Sequence, residues 1–467
     1  MPRPALLLLA LVALLVSAGR AGAGEPVEVV ALAGGGAHTC AITSEAGLLC
    51  WGANDAGQLG DETADLCGGV PCSTIPRAVV PLAGDVVDVA AGGRHTCAIT
   101  TSDAVRCWGS NAAGQLGAAA ADSCGTAPFE FACSTTPLAV QGLAGEAVAI
   151  GAGDFHTCAL LADGGVRCWG ENENGQLGDG TTADRAAPVA VAGLGPAVAI
   201  AVGGFHTCAI TEDGTVWCWG KGEEGQLGGD YECGQVCPTP LAVAGLDGIV
   251  ELAAAGLHTC ARTAAGAVLC WGFNFDGQVG DGSEENVRTE PTPVTGLGTG
   301  VVAIDGGGAF TGHTCAITAA SGLVCWGDND HGQLGDGTMS DGLVPVAVTG
   351  LGSGVEAVAA GHRHTCAIAA AGVLCWGLNS SGQVGDGTTD TMTAPAGVVG
   401  LSGSAPGDVN CDGSVTSVDA ALILQFTAAL FENLACPDGA DANGDGAVNS
   451  VDAALVLQFV AGLIEGL

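Results

Sequence analysis

HTCAITEDGTVWCWG, residues 206–220, is one of seven similar stretches along this chain of 467 residues. In every copy the triplet His-Thr-Cys is followed, nine or ten residues after its cysteine, by Cys-Trp-Gly. The seven cysteine pairs are Cys40 with Cys50, Cys97 with Cys107, Cys158 with Cys168, Cys208 with Cys218, Cys260 with Cys270, Cys315 with Cys325, and Cys366 with Cys375. A repeat of roughly 50 residues with strand-like patterning is typical of a β-propeller blade. The sequence predicts a seven-bladed, all-β propeller.

The fourth repeat predicts four short strands, the number that one blade needs. Residues 197–202 are alanine, valine and isoleucine, residues 206–210 alternate, and residues 215–219 return after the turn Asp213-Gly214. A fourth strand is predicted over residues 240–246, after a polar loop that contains Gly-Gln-Leu-Gly.

Side-chain alternation predicts which residues of a blade share a face. If Cys208 lies opposite Cys218, then Thr207, Ala209 and Trp219 point to the other side of the sheet. The small threonine and alanine leave room for the indole. We expect the tryptophan to pack against the next blade.

The remaining cysteines also form pairs, which makes a disulfide framework the simplest interpretation of all 22. Three pairs lie in inserts after Gly-Gln-Leu-Gly, and two cysteines are left for the C-terminal segment: Cys67 with Cys72, Cys124 with Cys133, Cys233 with Cys237, and then Cys411 and Cys436. A structural zinc site needs four ligands where each repeat offers three. A catalytic Cys-His pair copied into every blade is better explained as scaffold.

The N-terminal residues predict export. One arginine, an apolar run over residues 5–16 and the small residues Ala21-Gly22-Ala23 form a secretory signal peptide, residues 1–23. No later segment offers eighteen continuous apolar residues, so we predict a secreted protein with no membrane insertion. Disulfides persist in that oxidising compartment.

The formal net charge of -38 limits the classes of partner. Lys221 is the only lysine, and binding of phosphate groups requires clustered lysine or arginine. We therefore expect no nucleic acid among the ligands. A solvated acidic surface is the simplest explanation, and attraction for basic partners is the alternative.

The C-terminal segment contains a duplicated acidic loop followed by an apolar helix, after a linker over residues 402–407. Loop positions 1, 3, 5, 7, 9 and 12 supply oxygen ligands of the kind that Ca²⁺ prefers, with glycine at position 6 and a backbone carbonyl at position 7. The ligands predicted for two calcium ions are Asp408, Asn410, Asp412, Ser414, Thr416 and Asp419 in the first loop, and Asp441, Asn443, Asp445, Ala447, Asn449 and Asp452 in the second. Helices are predicted over residues 420–430 and 453–463.

The propeller repeat resembles that of the regulator of chromosome condensation family, in His-x-Cys-Ala-Ile, Trp-Gly and Gly-Gln-Leu-Gly. The resemblance covers about residues 25–401, which implies a propeller domain over residues 24–401. The founding activity of that family is guanine-nucleotide exchange on a nuclear GTPase. Other members are interaction platforms, and no functional residue of the family is transferred to this chain.

The C-terminal duplication is similar to the type I dockerin, because position 12 of each loop is aspartate where an ordinary EF-hand has glutamate. This resemblance implies an EF-hand-like, all-α calcium-binding domain over residues 408–467 that docks to a cohesin-type protein. The residues at loop positions 10 and 11, which contribute to cohesin choice in that family, are Ser417, Val418, Ser450 and Val451. Cys411 and Cys436 are expected to form a disulfide within this domain.

The three cysteine-paired inserts follow the same strand of their blades, so we expect them to lie at one end of the propeller and to recognise a protein or glycan. Nearby aromatics could anchor that ligand, namely Phe129, Phe131, Tyr231, Phe273 and Phe275. The leading hypothesis is a secreted, non-enzymatic binding protein tethered through its dockerin. One competing hypothesis is a polysaccharide-degrading enzyme of an extracellular complex, because dockerins often carry such catalytic domains. Against it stands the lack of a unique carboxylate pair on a strand or of a nucleophile motif, which leaves only two acids that meet across the central channel. The other competing hypothesis is a nucleotide exchange factor.

Overall fold

The computed structural model describes residues 27–61, 65–125, 128–229, 233–283, 285–402, 409, 417–428, 440, 442 and 448–461. Its described part is a seven-bladed β-propeller and two C-terminal helices, which confirms the predicted fold class.

Two blades have five strands each. The first is built from β1 (Val29–Gly34), β2 (His38–Thr43), β3 (Leu48–Ala53), β4 (Leu66–Cys67) and β5 (Val70–Ala78), in the hydrogen-bonded order β1-β2-β3-β5-β4, and is followed by a 3-10 helix (Val80–Leu82). The second is built from β6 (Val86–Ala91), β7 (His95–Thr100), β8 (Val105–Ser110), β9 (Asp122–Cys124) and β10 (Phe131–Ala139), with the corresponding order.

The other five blades have four antiparallel strands in chain order. The third and fourth contain β11 (Ala147–Ala152), β12 (His156–Leu161), β13 (Val166–Gly170), β14 (Arg185–Ala190), β15 (Ala197–Val202), β16 (His206–Thr211), β17 (Val216–Lys221) and β18 (Val236–Ala242). The fifth to seventh contain β19 (Ile249–Ala254), β20 (His258–Thr263), β21 (Val268–Phe273), β22 (Val287–Pro293), β23 (Val301–Gly308), β24 (Gly312–Thr318), β25 (Leu323–Gly327), β26 (Gly342–Ala347), β27 (Val355–Ala360), β28 (His364–Ala369), β29 (Gly372–Gly377) and β30 (Met392–Ser402).

The fourth strand of the fourth blade differs from its prediction. It begins at Val236 and ends at Ala242, four residues earlier than expected at both ends. The reason is the register: Val236 pairs with Lys221 and Cys237 with Gly220, so the strand continues the ladder of β17 right up to the insert.

Each cysteine pair of the seven blades is a cross-strand disulfide in the middle of its sheet. Cys208 lies directly opposite Cys218, with Cα atoms 4.1 Å apart, and both are fully buried. The described residues contain ten disulfides, comprising the seven blade pairs and the three insert pairs. Cys411 and Cys436 lie outside the described residues.

The seven tryptophans of the Cys-Trp-Gly motifs are buried between blades, but the prediction that each packs against the next blade is wrong. Trp219 of the fourth blade packs against the disulfide face of the third blade. Its Nε1 donates a hydrogen bond to the backbone carbonyl of Gln176 at 2.9 Å. Because Gln176 belongs to the Gly-Gln-Leu-Gly loop of the preceding blade, that motif and the tryptophan form one interface. Gly178 has φ +68°, and an added Cβ would lie 2.7 Å from the indole nitrogen, so only glycine fits there.

A closed ring of buried hydrogen bonds joins all seven blades. Each motif histidine bonds through Nε2 to the motif threonine of the following blade over 2.7–3.0 Å; the pairs are His38–Thr96, His95–Thr157, His156–Thr207, His206–Thr259, His258–Thr314, His313–Thr365 and His364–Thr39. The last pair closes the ring between the seventh blade and the first. The backbone N–H of His362 donates to Gly35 at the same junction, at 3.0 Å.

Six of the motif threonines fix the tautomer of the histidine with which they pair. Six threonine hydroxyls donate their hydrogen to the backbone carbonyl of a glutamine, as Thr207 does to Gln176 at 3.0 Å. A hydroxyl has one hydrogen to give, so it accepts from histidine, and Nε2 must be protonated. Burial lowers the pKa of the seven histidines to about 3 or 4, which keeps the rings neutral.

The C-terminal helices are α1 (Ser417–Thr427) and α2 (Ser450–Val460), which pack against each other through a small apolar core. Both begin three residues before the predicted positions. Asn449 explains the start of α2: its Oδ1 accepts from the N–H of Val451 at 2.8 Å, and its own N–H donates to Asp452 at 2.8 Å. This reciprocal arrangement is a capping box, which fixes the first helical turn at Ser450.

Candidate functional site

One end of the propeller contains the loops between first and second strands and the loops between third and fourth strands of every blade. Because the strands alternate in direction, both sets of loops must emerge at the same end, which we call the loop face. The three cysteine-paired inserts also lie between third and fourth strands. The prediction that the inserts share one end is confirmed.

The loop face contains a recess of about 640 Å³ next to the mouth of the central channel. Its lining is largely apolar, with a few charged groups; the principal side chains are Phe155, Phe205, Phe310, Asp55, Arg94, Asp154 and His362. An apolar concavity with a small number of polar groups is the usual form of a ligand site. The recess is the strongest candidate site on the propeller.

Two aromatic rings form the exposed edge of this recess. Phe205 and Phe310 have ring centroids 5.5 Å apart, with their planes tilted by 36°. Phe310 is 63% exposed in the short loop between β23 and β24, two strands that pair over more residues than the first and second strands of the other blades. That loop turns at Gly308, whose φ of +127° favours glycine.

Both basic side chains beside the recess contact a phenylalanine ring and a carboxylate. Arg94 lies 4.8 Å from the ring centroid of Phe131 and forms an ion pair with Asp55. The ammonium of Lys221 lies 5.8 Å from the centroid of Phe205 and 3.7 Å from a carboxylate oxygen of Glu223. On this surface the two cationic side chains of the chain itself are each held by a ring face together with a carboxylate.

Carboxylates lie in the recess and elsewhere on the loop face of several blades. Asp154 lies 2.9 Å from Nε2 of His362 in the lining. Partial burial raises the pKa of Glu171, and nearby Glu173 and Asp184 raise it further. Burial also raises the pKa of Asp276 to about 6, and a cluster of carboxylates on the sixth blade adds to that shift, namely Asp341, Asp328 and Asp330.

The aromatics predicted near the inserts have mixed environments. Phe129 is 80% exposed and Phe131 contacts Arg94. Phe273 and Phe275 stack on each other with centroids 6.3 Å apart. Tyr231 lies outside the described residues.

Sequence reasoning missed the three phenylalanines of the recess. Two of them immediately precede a His-Thr-Cys triplet, and the third lies in the lengthened hairpin before His313. The longer spacing from Gly306 to His313 was the signal that could have found the third.

Two half-buried acids on first strands connect neighbouring blades. Asp88 accepts the N–H of Ile150 at 3.1 Å, and Asp305 accepts the N–H of Ala360 at 2.8 Å. Burial raises the pKa of Asp88 to about 6 and that of Asp305 to about 7. Both carboxyls therefore contribute to the joining of first strands around the channel.

Three of the twelve predicted calcium ligands lie in the described part of the C-terminal segment. Asp419 and Asp452 are fully buried at equivalent positions of α1 and α2, and Asp419 accepts the N–H of Val409 at 3.1 Å. Asn449 caps α2. The other nine predicted ligands lie outside the described residues, namely Asp408, Asn410, Asp412, Ser414, Thr416, Asp441, Asn443, Asp445 and Ala447.

The four residues predicted to contact cohesin are solvent-exposed. Ser417 and Ser450 begin the two helices, followed by Val418 at 57% exposure and Val451 at 53%. The equivalent placement in both helices preserves the predicted duplication. Among the described residues, no helix has the length and apolar character to cross a bilayer.

Comparison with known families agrees with this architecture. A sequence model of the RCC1-like domain matches residues 125–420. The chain belongs to the RCC1-like domain family. Models of the regulator of chromosome condensation (RCC1) repeat match residues 29–58, 86–115 and 45–99. The dockerin type I domain matches residues 406–461, and dockerins of this type bind calcium and cohesins.

Curated relatives of this RCC1-like chain include much longer proteins. It is 31% identical over 347 residues to the human E3 ubiquitin-protein ligase HERC2, which covers 73% of this chain and 6% of the relative. It is also 31% identical over 349 residues to the ultraviolet-B receptor UVR8 of Arabidopsis thaliana, covering 73% of this chain and 63% of the receptor. The chain thus spans less than two thirds of both relatives.

Solved structures show the same fold. Human WBSCR16 aligns with a TM-score of 0.63 and 24% identity, over 73% of this chain and 87% of WBSCR16. Yeast RCC1 (Prp20), solved bound to Kap60, aligns with a TM-score of 0.60 and 24% identity, over 72% of this chain and 78% of that one. The dockerin match and the many disulfides of this RCC1-like protein are consistent with an extracellular location.

Proposed function

We propose that this chain is a secreted, non-enzymatic binding protein whose propeller recognises a protein or glycan through its loop face. Its dockerin tethers it, in the presence of calcium, to cohesin on an extracellular or cell-surface complex. The observation that supports this proposal is the presence of both modules in one chain, an RCC1-like propeller and a type I dockerin.

The charge of the C-terminal segment supports two calcium ions. Residues 402–467 contain no lysine, arginine or histidine. The same residues include these carboxylates: Asp408, Asp412, Asp419, Glu432, Asp438, Asp441, Asp445, Asp452 and Glu465. A buried carboxylate such as Asp419 or Asp452 requires compensation by hydrogen bonds or positive charge.

We assign each predicted loop one calcium ion. Asp408, Asn410, Asp412, Thr416 and Asp419, with the carbonyl of Ser414, would hold the first; Asp441, Asn443, Asp445, Asn449 and Asp452, with the carbonyl of Ala447, would hold the second. A bound ion supplies the positive charge that this acidic segment lacks. Asp419 and Asp452 then connect each loop to the first turn of its helix.

We assign cohesin recognition to the exposed starts of the two helices. Ser417 and Val418 of α1 have the same identity and exposure as Ser450 and Val451 of α2. Exposed leucines, Leu424 and Leu457, follow each serine by seven residues, a spacing that places them on the same helix face. The two equivalent faces would let cohesin bind in either orientation.

Calcium titration of the full chain tests this assignment. We expect Asp419→Asn with Asp452→Asn to weaken calcium binding in isothermal titration calorimetry and to abolish capture on immobilised type I cohesin. Asp438→Asn is the control, because it removes a carboxylate of the same segment outside both twelve-residue loops. Capture that persists in chelator would falsify the calcium dependence.

The non-enzymatic part of the proposal has its own test. The full chain should release no reducing sugar from a panel of plant and microbial glycans. It should also leave guanine-nucleotide exchange on a purified small GTPase unaccelerated. A turnover signal in one of these assays that survives repurification would contradict the proposal.

A further inference from the structure

The recess of the loop face has an exposed aromatic surface, and phenylalanine rings on this face already contact the cationic side chains of Arg94 and Lys221. Arg94 and Lys221 each contact a phenylalanine ring and a carboxylate of this chain. Phe310, at 63% exposure, lies with its ring centroid 5.5 Å from that of Phe205 and extends the aromatic surface. The exposed ring faces of such a pair attract positively charged groups.

Carboxylates on the loop face repel one another within two clusters. The third blade contributes Glu171, Glu173 and Asp184, and the pKa of Glu171 rises with burial and with the proximity of the other two. Burial raises the pKa of Asp276 and Asp341, and the neighbouring carboxylates Asp328 and Asp330 raise both further. Positive charge bound to the loop face would relieve this repulsion.

Asp55 and Asp154 bring negative charge into the recess itself. Asp55 forms an ion pair with Arg94, and a carboxylate oxygen of Asp154 lies 2.9 Å from Nε2 of His362. A neutral ligand would bury the phenylalanines but would leave the repulsion among the outer carboxylates unchanged. Charge complementarity therefore favours a basic ligand.

We propose that the loop face binds a positively charged polypeptide segment, with a lysine or arginine side chain in the recess against Phe205 and Phe310. This proposal depends on the proposed function of the loop face and narrows its partner to a basic protein. The outer carboxylates on the third, fifth and sixth blades attract the rest of the segment. Dependence of affinity on salt follows, because these groups are partly exposed.

The test uses the full chain and a fluorescein-labelled hexa-arginine peptide, followed by fluorescence polarisation. We expect saturable binding that weakens as salt is raised. Glu173→Gln with Asp330→Asn should weaken binding about threefold to tenfold, since each removes an exposed charge of the loop face. The matched control is Glu45→Gln with Glu212→Gln, which removes the same charge from hairpins at the opposite end of the propeller.

A second pair of variants tests how much the aromatic rings contribute to hexa-arginine binding. Phe310→Ala should weaken hexa-arginine binding about threefold, as expected for one exposed cation–π contact. Phe275→Ala, which removes another exposed ring of the loop face outside the recess lining, should have little effect.

Three results would overturn the proposal. Equal weakening by the two charge-matched double variants would show only general attraction to an acidic protein. Absence of saturable hexa-arginine binding would exclude a basic segment. Binding of a neutral oligosaccharide, lost in Phe310→Ala while hexa-arginine does not bind, would assign the recess to a glycan and leave the proposed function intact.

Discussion

At the scale of single residues, the motif threonine connects more groups than its size suggests. Thr207 accepts from His156 of the preceding blade and donates to the carbonyl of Gln176, which also accepts from Trp219. Removal of the hydroxyl leaves the Nε2 hydrogen of His156 buried without its acceptor. An unsatisfied buried donor is more costly than the loss of a net hydrogen bond.

Thr207→Val should therefore destabilise the propeller by about 1–3 kcal/mol, since valine keeps the shape but not the hydroxyl. Urea unfolding with intact disulfides would measure the loss. Thr207→Ser, which keeps the hydroxyl, is the control and should be destabilised less. Equal unfolding midpoints for the valine and serine variants would contradict the proposed hydrogen-bond relay.

The positions of individual side chains in the fourth blade show which parts of the packing could be predicted from the sequence. Alternation along two paired strands correctly placed Thr207 and Trp219 on one face and the cysteines on the other. It could not tell which neighbouring blade the indole meets, because that depends on the direction in which the blades follow one another around the ring. The carbonyl of Gln176 decides the question through a bond between residues 43 positions apart.

At the scale of elements, each blade is a sheet of small side chains held by a central disulfide. Alanine and glycine bury little apolar area, so the covalent bond compensates for weak packing. The loop closed by Cys208 and Cys218 spans ten residues. The chain-entropy model gives about 2.5–3 kcal/mol for such a loop.

Replacement of both Cys208 and Cys218 by alanine should lower the free energy of unfolding by at least about 2.5 kcal/mol, because the buried pair also packs against Trp271 and Leu227. Thermal unfolding under non-reducing conditions would measure it. The control is the same double replacement at Cys67 and Cys72, in an insert outside the blade core. An equal loss of unfolding free energy in the two variants would mean that the central disulfide of a blade stabilises the fold no more than a disulfide of an insert.

The starts of the two C-terminal helices were predicted three residues too late, and α2 shows the reason. The apolar run that begins at Ala453 suggested the helix start, but the polar side chains before it form the first turn. Asn449 and Asp452 satisfy each other's backbone and side-chain groups across that turn. A capping box with aspartate at its third helical position is the signal that would have moved the predicted start to Ser450.

At the scale of the whole molecule, the recess results from closure of the ring. Phe155, Phe205 and Phe310 belong to the third, fourth and sixth blades, and Asp55 belongs to the first. No local pattern relates these residues, so only the circular arrangement could bring them to one cavity. The repeats predicted the propeller, whereas the differences between blades determine its candidate site.

The seven buried histidines make the ring sensitive to acid. The pKa of each histidine falls from its usual value of 6.5 to about 3 or 4 on folding, so between these values the unfolded chain binds more protons than the folded one. Stability is therefore fully present above pH 6.5 and is lost as the pH falls toward the folded-state pKa. Asp88 and Asp305 act in the opposite direction, because burial raises their pKa.

Comparison of wild type with His156→Gln isolates one member of the ring, since the carboxyl contributions are the same in both proteins. Glutamine keeps an N–H for Thr207 but does not titrate. Between pH 6 and pH 4.5 the unfolding free energy of wild type should fall more steeply than that of the variant, by about 1.4 kcal/mol per pH unit. Urea unfolding at a series of pH values measures both slopes. Parallel slopes would mean that His156 is protonated in the folded ring, which its burial and its bond to Thr207 oppose.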